Sequence, residues 1–492
     1  IPRYGQIFSH TAGDLTPVIG SGLGGSTYSS RTSNRNLIQL STSSIGSLGI
    51  GGNWSFFNPN QNQTISVSLG HDAWTHNYKY SNYLGERLKR IGAQGSRSEF
   101  SVLSRSINPE SKIWSSQSVY GVNMNRGLPE PSTAAYREGA NQTDSRVQLN
   151  NSIGYSKRNY SLETRQSVFY SNQSYTNTIS DVLDTNYSNG SSLELINIWK
   201  WGKFSLANQS QVQYFGISGQ NKPDTGITSI SNLTSLKHHI SKTQYISIYN
   251  KSSYQDLING VGGSSPGIQF FSECKNRELD IHLKRIFRLP TMNDLFWSPG
   301  GNPNLIPESG WDLKASFSLQ NKYNIFKFEA FAGRLNNGII WRPNGLFWQP
   351  INEFLITRYG INSSWQVIWP SQFVQFEIQA LQSQNADNFP IPYSTPLRLR
   401  MIYSKQIQFG KVGFMGLYQL GVPTLWTTNR STDLPNCSNL SLFYENKIFE
   451  FKNKSSIETR IRLENLLNQQ IVFQRNYPMP GRHINLSFQI NL

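Results

Sequence analysis

The sequence predicts an all-β fold, a large antiparallel transmembrane β-barrel of about 22 strands. Three observations carry that reading. Apolar and polar residues alternate from one end of the chain to the other, the connections between the alternating segments are short and long in turn, and no apolar run approaches the length of a membrane helix.

The alternation has the period of a strand. Ile65, Val67 and Leu69 are separated by Ser66 and Ser68, and Val147 and Leu149 by Gln148. Val374, Phe376, Ile378 and Ala380 are separated by Gln375, Glu377 and Gln379. At the end of the chain Ile484, Leu486, Phe488, Ile490 and Leu492 fall on one face, with Asn485, Ser487, Gln489 and Asn491 on the other. A strand sends successive side chains to opposite sides, so each segment has one face suited to hydrocarbon and one suited to water. A spanning helix is excluded, because it takes about 20 apolar residues. The longest uninterrupted apolar runs here have three, as in Ile339-Ile340-Trp341.

Reading back from Leu492, the spacing predicts strands over 482–492, 456–466, 439–451, 409–420, 395–406, 372–383, 355–368, 324–337 and 309–320. Short turns are expected at Asn453-Lys454, Gln408-Phe409-Gly410, Trp369-Pro370-Ser371 and Asn321-Lys322-Tyr323, and long loops at 289–308, 338–354, 384–394, 421–438 and 467–481. Tight turns on one side and extended loops on the other are the pattern of a bacterial outer-membrane barrel, whose turns are periplasmic and whose loops are extracellular. At about 22 residues per strand and connection the chain supplies roughly 22 strands, the size class of plugged transporters rather than porins.

Composition agrees. The 27 Phe, 23 Tyr and 12 Trp suit aromatic girdles, and the abundant Asn, Gln and Ser suit a polar lumen. A soluble β-sandwich adhesin would share the period but bury its apolar face in a dry core, and would fold without detergent. Charged residues make up only 15% and there are two cysteines, Cys274 and Cys437, so charge-driven disorder and a disulfide scaffold are both excluded. Lys and Arg exceed Asp and Glu by 45 − 29 = 16, yet they are scattered one or two at a time, without the basic run of a nucleic-acid arm. No nucleic-acid partner is expected. The excess suits the phosphates of lipopolysaccharide or an anionic ligand.

Signatures of catalysis are missing. There is no H-E-x-x-H, and Asp294, Glu308, Glu329 and Glu377 are far apart in sequence. His238-His239 would point to opposite faces of a strand, which is poor geometry for one metal ion. Gly20-Ser21-Gly22-Leu23-Gly24-Gly25 matches G-x-G-x-x-G, but Pro17-Val18-Ile19 is a poor strand and positions 40–52 hold no acidic residue for a ribose. The chain is therefore read as no enzyme, with no cofactor and no metal.

Two segments go beyond pattern. Phe287-Arg288-Leu289-Pro290-Thr291-Met292-Asn293-Asp294-Leu295-Phe296-Trp297, followed by Gly300-Gly301-Asn302-Pro303-Asn304-Leu305-Ile306-Pro307-Glu308, resembles a loop motif of TonB-dependent outer-membrane transporters. Leu463-Glu464-Asn465-Leu466-Leu467-Asn468, then Tyr477-Pro478-Met479-Pro480-Gly481-Arg482 and the terminal alternating strand, resembles that family's C-terminal signature. Gly46-Ser47-Leu48-Gly49, Asn77-Tyr78-Lys79-Tyr80 and Trp341-Arg342-Pro343-Asn344 are similar to the cobalamin and siderophore branch of Bacteroidota type. The resemblance covers about residues 22–492. The chain departs from the family in ending on Leu492 where many relatives end on an aromatic, and in showing at most the tail of a plug domain, Gly20–Ser26.

The resemblance implies two segments, an N-terminal piece over 1–35 and the barrel over 36–492. It implies uptake of a scarce ligand, a corrinoid, metal chelate or oligomer, held by the extracellular loops, with the plug expected to be absent from this chain. Trp297, Asn302, Trp341, Arg342, Trp348 and Trp426 are the candidate ligand-binding residues, since aromatic and Arg side chains supply most anchor energy in recognition. A loop Trp also serves as a plain membrane-interface anchor. Ile484, Leu486, Phe488, Ile490 and Leu492 are expected to form the barrel-assembly signal. Expected partners are outer-membrane lipid and lipopolysaccharide, periplasmic TonB if a plug is present elsewhere, and a surface lipoprotein or other outer-membrane subunits. The alternative function is a plugless barrel serving as a structural subunit of a multiprotein outer-membrane complex.

Overall fold

The computed structural model describes residues 36–492 except 60, 83, 130–139, 178–181, 221, 257–259, 298–299, 345–346, 426–432 and 452–454. The expected N-terminal piece over 1–35, the turn Asn453-Lys454 and Trp426 lie outside the described residues. Twenty-two antiparallel strands form one sheet that closes on itself. The seam joins the first strand, Leu37–Ser43, to the last, His483–Asn491, with Ile38 opposite Ile490 and Leu40 opposite Phe488. Closure joins the first strand to the last, so the ring of the sheet has no free end, which is the condition for a sheet to cross hydrocarbon.

The alternation read from the sequence sorts the side chains as expected. Ile65, Leu69, Val147, Leu149, Ile484 and Phe488 stand exposed on the outer face. The residues between them carry the ion pairs of the lumen, such as Arg165 with Glu194 (3.1 Å) and Arg358 with Asp312 (2.9 Å). At the short-turn end Trp201, Phe204 and His238 stack in a row, with centroids 6.4 and 4.7 Å apart, while His239 turns to the other face and meets Tyr245. Aromatic rows of this kind mark the interface of a bilayer.

One outward patch breaks the apolar rule and shows how polar groups survive there. Asn208 and Ser210 lie on the strand Phe204–Gly219, opposite Thr234 and Asn232 of Lys222–His239. The four side chains form a closed ring. Asn208 Nδ2 donates to Thr234 Oγ1 (3.0 Å), Thr234 Oγ1 to Asn232 Oδ1 (2.9 Å), Asn232 Nδ2 to Ser210 Oγ (2.8 Å), and Ser210 Oγ to Asn208 Oδ1 (3.1 Å). Val212, Ile230 and Leu236 flank it on the same face. A polar group in hydrocarbon costs most when it is left unpaired. Asn232→Leu is therefore expected to cost about 1–2 kcal/mol, because it strands Thr234 and Ser210. Replacing all four residues with apolar ones is expected to be close to neutral. Urea titration of the detergent-folded barrel separates the two; a single variant as stable as wild type would refute the ring's role.

The structure corrects three expectations. The loop expected over 338–354 is instead the tip of a long hairpin, because Asn324–Asn344 and Phe347–Ile368 stay paired, as in Ile340 opposite Ile351. Asn337, at φ 54°, absorbs the irregularity that ended the period in the sequence, and the β-prone Ile339-Ile340-Trp341 beyond it resumes the ladder. Next, the long-loop end is not uniformly long: Leu37–Ser43 turns into Ser47–Asn58 within residues 44–46, helped by Gly46 at φ 82°. Finally, the loop 289–307 contains a helix, Met292–Phe296.

Candidate functional site

The long-loop end is where loops turn inward and side chains converge. The segment 289–307 leaves the strand Arg277–Arg288 and returns into Glu308–Gln320. Thr291 caps its short helix: its Oγ1 accepts from Asp294 N (3.2 Å), and Asp294 Oδ2 accepts from Thr291 N (3.0 Å). This reciprocal box satisfies donors that a five-residue helix cannot satisfy internally. Gly301 is required beyond it, since an added Cβ would lie 2.5 Å from Trp297 N and 2.6 Å from Leu295 O.

The wedge so formed is held by apolar contact and by charge. Leu295, 2% exposed, packs with Met292, Leu305, Ile217, Ile227 and Ile339, so the loop reaches strands on the far side of its own hairpin. Arg288 pairs with Glu308 and sits 3.6 Å from Asp294. Glu308 also accepts from Ile339 N (2.5 Å), and Asp294 accepts from Trp341 Nε1 (3.2 Å). Asn302 Nδ2 donates to Pro350 O (3.0 Å), and Asn352 bridges Ile306 and Asn337. The acidic residues that sequence distance kept apart, Asp294 and Glu308, thus meet on one guanidinium.

Of the expected ligand residues, five fall on this wedge and the tip it grips. Trp297 ends the helix. Trp341 and Asn302 tie the loop to the long hairpin. Arg342 pairs with Glu353, which also accepts from Asn385 Nδ2 (3.2 Å), and Trp348 lies opposite Pro343 near the tip. The side-chain polar groups of Trp341, Asn302 and Arg342 are therefore engaged within the protein.

A second pair of loops docks over the short 44–46 turn. Tyr78 Oη donates to Pro478 O (2.9 Å), Gln470 exchanges hydrogen bonds with the Ser81 backbone, and Arg90 lies over the rings of Tyr80 and Tyr477. Burial pushes the Tyr78 phenol up. Burial first, and then the neighbouring His483, pushes the His76 imidazole below its ordinary value near 6.5. The docked loops thus favour neutral His76. A group whose pKa is lowered on docking supports the docked state fully above its undocked pKa and withdraws that support as pH falls through and below 6.5. Amide exchange in 75–94 and 465–482, corrected for intrinsic rates, is expected to quicken between pH 7.5 and 5.5 in the wild type. It should lose that dependence in His76→Gln; equal pH slopes in both would refute it.

Below the mouth, the lumen wall holds a recess of about 1000 Å³ lined by Asp280, Glu329, Glu377, Lys327 and Arg400, with Phe473 of the loop 465–482 reaching in. Glu329 accepts from Asn362 (3.0 Å) and pairs with Lys314; Glu377 pairs with Arg400 at 3.4 Å. Sequence reasoning missed this wall as a site. Its signal was present in charged residues at alternate positions, such as Lys327 with Glu329 and Arg398 with Arg400, which put both charges on the lumen face. Among the described residues no group of His, Cys, Asp and Glu has the arrangement of a metal site.

A closed antiparallel barrel of this size defines a class by fold, and solved structures share that fold. A copper transporter, OprC, superposes with a TM-score of 0.77 at 12% identity, over 93% of this chain and 80% of the other. The siderophore receptor PirA from Acinetobacter baumannii gives 0.76 at 10% identity over 93% and 80%. The F5-1 variant of the FrpB iron transporter from Neisseria meningitidis gives 0.78 at 8% identity over 93% and 82%. At these identities the likeness establishes a common 22-strand barrel fold. No family model and no curated protein matches the sequence.

Proposed function

We propose that this chain is the barrel of a TonB-dependent outer-membrane transporter that takes up a scarce ligand, a corrinoid, metal chelate or oligomer. The observation that carries the proposal is the wedge 289–307, which folds against the barrel wall at Ile217 and Ile227 on the same barrel whose lumen holds a polar recess. The sequence resemblance in that same wedge and in the last strand supports it. So do the names of the fold neighbours, a copper transporter, a siderophore receptor and an iron transporter, which favour a metal chelate among the three ligand classes. In this reading the short turns face the periplasm and the loops the exterior, residues 1–35 are at most the tail of a plug, and TonB would act only through a plug present elsewhere. The recess volume is at the upper end of small-molecule pockets, which run to roughly 1,000 Å³.

The test is uptake. Deleting the gene should abolish growth on one limiting chelate or corrinoid, and the purified protein should bind that compound by calorimetry. Wild-type growth on every such source, with the barrel recovered in a fixed complex with other outer-membrane subunits, would overturn the transporter reading in favour of a structural subunit.

A further inference from the structure

The outer wall carries a built row of charge at one level. Arg285, Trp311 and Arg334 are direct cross-strand neighbours on three adjacent strands, with Arg285 opposite Trp311 and Trp311 opposite Arg334. All three stand on the outer face. Arg285 has the parity of the exposed Ile281 and Leu283, Trp311 is itself 53% exposed, and Arg334 has the parity of the exposed Phe328. Their sequence neighbours Lys284, Asp312 and Gly333 belong to the lumen face, where Asp312 pairs with Arg358. Both arginines are exposed, and among the described residues neither guanidinium has an ion pair or hydrogen bond.

The level is informative. Beneath the row the outer wall is apolar down to its foot: Leu283, Leu313 and Ala332, then Ile281, Ala315 and Ala330, then Leu279, Phe317 and Phe328, and at the foot Leu319 with Phe326, beside Arg277 at the short-turn end. Eight residues separate Arg334 from Phe326. At about 3.4 Å per residue and a tilt near 40° that is roughly 20 Å of height, close to the apolar band of a barrel. The arginines therefore sit where hydrocarbon ends at the long-loop side, not within it. Their Cα atoms are two strand spacings apart, about 10 Å. Two unpaired guanidiniums at that separation, with an amphipathic indole between them, form a fork for phosphate oxygens above an acyl-chain wall.

We infer that Arg285, Trp311 and Arg334 form a binding site for the phosphorylated headgroup of an outer-leaflet glycolipid. The inference rests on the proposed orientation, which puts the long-loop end outside. Charge complementarity selects the occupant: no acidic side chain shares these outer rows, a neutral headgroup would leave both guanidiniums unmatched, and the lipid's chains can lie on Leu283, Leu313 and Ala332.

The test uses the whole chain reconstituted into phosphatidylcholine nanodiscs doped with bis-phosphorylated lipid A or with its dephosphorylated form, and reads retained lipid by native mass spectrometry. Wild type is expected to retain the phosphorylated form at least tenfold better, and the double variant Arg285→Gln with Arg334→Gln to lose that preference while inserting normally. Trp311→Leu should weaken retention less. Equal retention of both lipids by wild type, or an unchanged preference in the double variant, would overturn the site. Displacement by millimolar inorganic phosphate would overturn it in favour of a free-anion site. Failure of the barrel to enter nanodiscs at all would instead strike the outer-membrane reading on which the inference stands.

Discussion

Glu308→Ala is expected to release the wedge 289–307 without unfolding the barrel. Glu308 is 6% exposed, pairs with Arg288 and accepts from Ile339 N, so its loss leaves a backbone donor and half of a guanidinium fork unmatched in a shielded place. A broken buried pair costs about 3–5 kcal/mol, and the 40% exposure of Arg288 reduces that to about 2–3 kcal/mol here. The cost should be local. Hydrogen exchange should open 289–307 and the tip around 338–354, while the urea midpoint of the barrel moves little, because the strands beneath keep their ladders. Glu308→Gln can still accept from Ile339 N and should lose less. On the transporter reading, ligand binding should fall with wedge order across the two variants. Wild-type exchange in Glu308→Ala would show that the apolar cluster around Leu295 holds the loop without the charge.

That cluster also shows what the sequence could and could not disclose. Strand positions were legible because each hangs on a local rule: an alternation of side chains pins a strand, and the stretch 372–383 returns as Gln372–Asn385 with its apolar residues outward. Turn residues such as Asn321-Lys322-Tyr323 were legible for the same reason, with Asn321 Oδ1 accepting from Tyr323 and Asn324. The mouth was not. Ile217 and Ile227 meet Leu295 only after the sheet has curved through several strands, and nothing local to those residues announces the meeting. The long hairpin was misread because Asn337 interrupts the period where the ladder itself continues.

The candidate residues divide on the same line. Choosing Trp and Arg from loops led to the long-loop end of the barrel, where five of the six gather on the wedge and hairpin tip. Their chemistry, however, is largely directed inward: Trp341 to Asp294, Asn302 to Pro350, Arg342 to Glu353. On the transporter reading these residues shape the mouth, and the lumen recess with Glu329, Glu377, Lys327 and Arg400 supplies groups that a polar ligand could touch.

The largest effect is expected at the seam. Phe488 lies midway along the last strand, opposite Leu40 on one side and Thr459 on the other, and is exposed on the outer face. Phe488→Arg places a charge in the apolar belt at the last pairing to form, at a cost of about 2–4 kcal/mol near the bilayer midplane. Gln489→Arg, one residue on, turns the same charge to the lumen, where Gln489 stands opposite Glu458 and an Arg would gain a carboxylate. The first variant should therefore lose most of its folded, heat-modifiable band in the membrane fraction, and the second should retain it. The proposed assembly role of Ile484, Leu486, Phe488, Ile490 and Leu492 predicts in addition that Phe488→Arg protein accumulates unfolded before insertion and is not inserted and then destabilised, which protease accessibility in pulse-labelled cells distinguishes. Equal folding of the two variants would mean that the outer face at the seam is not in contact with lipid, and with it the division of the wall into oil and water sides would fail.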